Sequence, residues 1–178
     1  MIELGHVTDR KPPFRYAAYQ RVGFSETDAQ GVVYYGRYMP YFDLARTEFH
    51  RHLGRVHLGA ADFAMRASVV EYHRHLGRPH LDNVDFAMRA LTIEYVAPAR
   101  FDDLLEIFVR VERIGTTSIT YDHAAYRLAD DEDGGTANEV LMATAKQTLV
   151  LIDLGRRRPV SVPEAFRERI AEFQREQV

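Results

Sequence analysis

The run FSETDAQG places Asp28 in a cluster of turn formers, three positions before Gly31. An aspartate is ionised at neutral pH and can act as a base or a nucleophile. Gly31 permits a backbone bend, or an approach to a ligand that a side chain would block. A helix starting soon afterwards would aim its first, unpaired N–H groups and its positive dipole end back at this loop. A carboxylate facing such donors combines an attacking or proton-accepting group with a stabiliser for a developing oxyanion. Asp-x-x-Gly before a helix is also an ordinary capped turn, so the spacing alone leaves both readings open.

The other chemical candidates have simpler readings beside the functional ones. Thr117 and Ser118 follow Gly115 at a strand start, where hydroxyl residues are common strand formers. Arg156, Arg157 and Arg158 form a basic turn that is solvated by default and able to meet phosphates. Arg46 and Glu48 sit on the helix, where an intrahelical or interface ion pair is the first expectation. There is no cysteine, which removes a thiol nucleophile, disulfides and cysteine zinc sites.

The elements that must position Asp28 can be read from periodicity. Residues 1–13 end in Pro12-Pro13 and predict an extended arm. Phe14 to Phe24 is β-rich and predicts a strand. Tyr38, Phe42, Ala45, Phe49 and Leu53 recur at helical spacing, with Pro40 tolerated in the first turn and Gly54 as the stop. Asp43, Thr47 and Arg51 should then turn outward. Four strands are predicted next, in ALTIEYVAPA, DLLEIFVRVERI, TSITYDHAAYRLA and NEVLMATAKQTLVLID, with the acidic DDEDGG as a hairpin tip. PEAFRERIAEFQRE closes the chain as a helix. The expected class is α+β, an antiparallel sheet wrapped around a central helix.

The 178 residues suit one domain with a substantial core. A net charge of −3 argues against a nucleic-acid partner. No apolar run approaches the roughly 20 residues that span a bilayer, so no membrane insertion is expected. Charges at Glu3, Asp9 and Arg10 speak against a signal peptide, and a cytoplasmic location is expected.

Residues 50–72 and 73–95 are a direct repeat, identical at 16 of 23 positions. Two copies fall short of a solenoid, so an insertion in a globular fold is expected between the helix and the next core strand. The first copy continues the helix and the second runs into Val96-Ala97-Pro98, which leaves residues of about 55–77 as the added material. Six of the eight histidines (His50, His52, His57, His73, His75, His80) belong to the repeat. They read as a copied segment rather than a metal site, because no ligand spacing such as HExxH is present.

TDAQGVVYYGRYMPYFDLARTEF resembles the signature of the hot-dog-fold acyl-CoA thioesterases of the 4-hydroxybenzoyl-CoA thioesterase type, including those associated with the Tol-Pal system. EYVAPARFDDLLEI, RVERIGTTSITY and LVLIDLGRRRPVSVPE resemble the family's later motifs in the same order, across about residues 15–170. The resemblance implies that Asp28 attacks the thioester carbonyl or activates water, and that the Tyr35 backbone N–H polarises that carbonyl. It implies Gly31, Thr117 and Ser118 as substrate contacts; Tyr34 is a further substrate-binding candidate, since the tyrosines near the helix (Tyr34, Tyr35, Tyr38, Tyr41) suit an aromatic acyl group or, equally, packing, and no cofactor or metal is expected. Some relatives carry histidine where this chain has Tyr35; a backbone N–H survives the change, whereas a route needing that histidine does not. A homodimer or homotetramer is implied too, with sheets joined edge to edge and the site between subunits. Two other readings use the same fold: a thioesterase for acyl-carrier-protein substrates, and a non-catalytic acyl-thioester-binding protein.

Overall fold

The computed structural model describes residues 4–55, 84–128 and 139–175. The elements, in order, are β1 (Gly5–Val7), β2 (Tyr16–Arg21), 3-10 turns at Phe24–Glu26 and Tyr35–Arg37, and α1 (Tyr38–Arg55). Then follow β3 (Val84–Tyr95), β4 (Leu104–Ile114), β5 (Ser118–Arg127), β6 (Val140–Asp153), β7 (Arg158–Pro159) and α2 (Glu164–Arg175). The strands form one antiparallel sheet in the order β1-β2-β4-β5-β6-β3, with β7 paired to β6.

The predicted helical stripe is the centre of the core. Tyr38, Phe42, Ala45, Phe49 and Leu53 are all buried, against Leu105, Ile107, Val109, Ile119, Tyr121 and Met142 from the sheet's inner face. The spacing of four and three brings these side chains to one side of α1, and the period of two supplies the matching face of each strand. α2 closes the far end of α1: the Phe173 ring meets Phe49 at 5.4 Å, and Phe166 stacks on His50 at 5.6 Å.

Several boundaries differ from expectation. The arm carries β1, which pairs with β2 through Gly5 and Ala18. A Cβ at Gly5 would lie 2.2 Å from the Tyr16 hydroxyl, so a glycine lets the strands close over that ring. The strand expected over 14–24 is confined to Tyr16–Arg21, because Gly23 opens a 3-10 turn whose amide is capped by Glu26. α1 runs through Gly54 to Arg55. Asp43 is not simply outward: its Oδ1 accepts Gln147 Nε2 at 2.8 Å, tying α1 to β6. β3 spans Val84–Tyr95 within the second repeat copy, while α1 ends within the first. The proposed added segment and DDEDGG lie largely or wholly outside the described residues.

Candidate active site

Residues 26–34 form a small hairpin ahead of α1. Thr27 bridges Val33, the Tyr34 N–H donates to the Glu26 carbonyl at 2.9 Å, and the Asp28 N–H donates to the Val32 carbonyl at 2.9 Å. Gly31 turns the tip at φ +74°, the left-handed region that favours glycine. The Val33 N–H donates to the Ala99 carbonyl at 2.8 Å and Val32 bridges Arg100, which docks the hairpin on the segment after β3.

Asp28 is exposed at this tip, and its Oδ1 accepts the Gln30 N–H at 2.8 Å. That bond runs to its own loop rather than to the Tyr35 amide. Glu26, the other carboxylate of the hairpin, is committed to the Gly23 N–H at 2.6 Å. Tyr35 begins the 3-10 turn that feeds into α1, so its N–H is among the leading amides without an intrahelical acceptor.

An aromatic wall surrounds this turn. The Tyr34 and Tyr35 rings lie 4.3 Å apart, and Tyr95 meets Tyr35 and Tyr38 edge-on. Tyr34, Tyr35, Met39, Tyr95 and Val96 are all substantially exposed, which leaves an apolar patch beside the loop. The phenols here are held above their ordinary values: Tyr34 by its Tyr35 neighbour, Tyr38, Tyr41 and Tyr95 chiefly by burial. They remain protonated at neutral pH, which suits none of them to act as a base.

The residues that the sequence grouped with Asp28 divide into two places. Gly31 and Tyr34 share its hairpin, and Tyr35 follows directly in the 3-10 turn. Thr117 and Ser118 lie at the β4–β5 turn, where the Leu151 N–H donates to the Thr117 carbonyl at 2.9 Å and the Ser118 carbonyl accepts the Gly115 N–H at 2.7 Å. Ser118 pairs with Val150, which pairs with Ala87, whereas Tyr95 pairs with Ala143. One chain therefore holds these hydroxyls roughly 25 Å from the Tyr95 end of β3, at about 3.3 Å per strand residue. The basic turn lies at that far end too, with Arg158 paired to Asp153. Arg46 and Glu48 each form an intrahelical pair, but with other partners: Arg46 with Asp43 at 3.0 Å, Glu48 with Arg51.

The sequence profile of the thioesterase-like superfamily matches residues 22–170, a span that takes in the hairpin, α1 and the whole sheet from β3 onward. The chain belongs to the thioesterase-like superfamily. The acyl-CoA thioester hydrolase YbgC of Escherichia coli O6:H1 is 30% identical over 157 residues, covering 86% of this chain and 91% of the relative. The acyl-CoA thioesterase YbgC of Haemophilus influenzae is 28% identical over 144 residues, covering 81% and 85%. A 4-hydroxybenzoyl-CoA thioesterase variant, solved with 4-hydroxybenzoyl-CoA, superposes with a TM-score of 0.65 at 21% identity, covering 86% of this chain and 96% of that one. The fold of this thioesterase-like chain is the hot-dog fold, a sheet curled around α1.

Tyr95 is the site residue that sequence reasoning missed. Its signal lay in the EYVAPA motif, where alternation made it one more strand residue. Among the described residues, no group of three or more His, Asp or Glu side chains is placed to hold a metal ion. No described helix is long and apolar enough to cross a membrane.

Proposed function

We propose that this chain is a cytoplasmic thioesterase that hydrolyses an acyl-CoA thioester to the free acid and CoA, with Asp28 as the group that drives the reaction. The observation that carries this reading is the arrangement of the hairpin. Asp28 is its exposed carboxylate, with Oδ1 on the Gln30 N–H of its own loop, whereas Glu26 caps Gly23, and the turn that follows leads with the Tyr35 N–H. The thioester carbonyl oxygen accepts the Tyr35 N–H and is polarised by the positive end of α1. In one form, the Asp28 carboxylate adds to the carbonyl carbon, the C–S bond breaks, CoA leaves as a thiolate, and water cleaves the mixed anhydride. In the other, Asp28 takes a proton from water as it attacks. A thiolate leaves without a strong general acid, and none is needed from the phenols. A single turnover in heavy-oxygen water separates the forms, since attack of water on the anhydride at Asp28 leaves label on that side chain.

The active unit in this reading is a homodimer, with a homotetramer as a pair of such dimers. Among the described residues, β3 is the last strand of the sheet order and no strand pairs along its outer side, where Met88 and Tyr95 are exposed. Antiparallel pairing of β3 with β3 of a second copy would reverse the second sheet. That brings Thr117, Ser118 and Arg156–Arg158 of the second copy toward the Tyr35 end of the first. The pairing would cover the exposed Asp28 loop and supply hydroxyl and guanidinium groups for the CoA arm.

A hydrolysis panel tests the activity. Short, long and aromatic acyl-CoAs are compared with the same acyl groups on acyl carrier protein. Turnover of at least one acyl-CoA, with kcat/KM above that for the carrier-protein form, is the expected result. Preference for the carrier protein, or thioester binding without turnover, contradicts it.

A further inference from the structure

Tyr95 makes a contact that ring packing alone does not need. Its hydroxyl donates to the Tyr35 carbonyl at 2.9 Å, from the end of β3 to a residue sixty positions earlier. The same carbonyl already accepts the Tyr38 N–H of the 3-10 turn. The ring is about half exposed and rests edge-on against Tyr35 at 6.4 Å and Tyr38 at 5.5 Å. A phenylalanine would keep both ring contacts, so the hydroxyl's distinct contribution is the second hydrogen bond.

That carbonyl shares its peptide plane with the Gly36 N–H, which follows the Tyr35 N–H at the head of the turn. Two bonds to the oxygen fix the plane's orientation, and drawing charge onto the oxygen strengthens the N–H opposite it. We propose that Tyr95 is a positioning residue, whose hydroxyl locks the Tyr35–Gly36 peptide and so aims the Gly36 N–H, beside the Tyr35 N–H, at the substrate's carbonyl oxygen. The inference rests on the proposed role of the Tyr35 N–H. Partial burial and the adjacent Tyr35 phenol keep the Tyr95 hydroxyl protonated, as a donor must be.

The test is Tyr95→Phe, assayed on the acyl-CoA with the highest kcat/KM in the panel. Since a directly removed oxyanion donor costs about a hundredfold or more in kcat, loss of a group acting through one should lower kcat about tenfold. KM is expected to stay within about twofold and the melting temperature unchanged. A residue serving packing alone would move the melting temperature or KM and leave kcat. The second readout is the carbonyl stretch of the same thioester bound to Asp28→Asn, by infrared difference spectroscopy. Polarisation by the amides lowers this frequency, and adding Tyr95→Phe should give back part of the lowering. If Asp28→Asn turns over normally, or its bound thioester shows no lowering, the underlying reading fails and the inference with it. If the lowering is present, Tyr95→Phe leaves it unchanged and kcat stays within twofold of wild type, the inference alone is overturned.

Discussion

At the scale of the residue, the hairpin tip separates conformational demand from steric demand. Gly31 has φ +74°, and no atom lies within 4 Å of where a Cβ would stand. Gly31→Ala therefore meets open space, and its cost is backbone strain of about 1–2 kcal/mol. Urea unfolding should show that loss, and Gly31→Asn should restore part of it, since asparagine tolerates the left-handed region. Equal stability of all three proteins would mean that the tip does not need this conformation. Asp28 and Gly31 were legible in the sequence because turn chemistry is local. Tyr95 was not, because a hydrogen bond between residues sixty apart leaves no mark in spacing.

At the scale of the element, α1 was the clearest reading: one apolar stripe predicted its buried face, and each of the five stripe residues is buried. Phe42→Ala, at a side chain with no exposure, should cost about 3–5 kcal/mol in urea unfolding. A loss under 1 kcal/mol would show that α1 is not the centre of the core. The polar residues of α1 were harder to read, because Asp43 and His50 answer to strands distant in sequence. His50 is buried against the Tyr121 hydroxyl at 2.8 Å, near the Phe86 and Phe166 rings, with the Arg46 charge nearby. His123 lies under Phe42, near Arg46, Asp43 and Gln147. Burial lowers both imidazoles from 6.5 to about 3. The unfolded chain binds protons there near pH 6.5, while the folded chain does so only near 3. Their contribution to stability is therefore complete above about pH 6.5 and lost as pH falls toward 3. The urea midpoint should drop between pH 7.5 and 5, a window above most carboxylate titration, and His123→Phe should reduce that slope. A flat midpoint across the window would contradict neutral burial of these rings.

At the scale of the whole molecule, the order of strands explains what one chain leaves unfinished. The hydroxyl turn at Thr117–Ser118 and the carboxylate loop at Asp28 lie at opposite ends of the sheet, and the proposed dimer brings them together through a reversed second sheet. Sedimentation should give a particle of at least twice the chain mass, and activity per chain should fall on dilution as it dissociates. A fully active monomer would refute the shared site. This distance was invisible in the sequence, where motif order says nothing about which ends of strands meet. The repeat adds one more whole-chain prediction: deletion of residues 55–77 leaves a soluble, active protein, and an insoluble product would refute the insertion reading.

The measurement nearest the central claim is steady-state turnover of Asp28→Asn on the preferred acyl-CoA. The change keeps the size of the side chain and an oxygen able to accept the Gln30 N–H, while removing the charge. An unchanged melting temperature and a kcat lowered at least about a hundredfold are expected. A kcat near that of the wild type would contradict that claim.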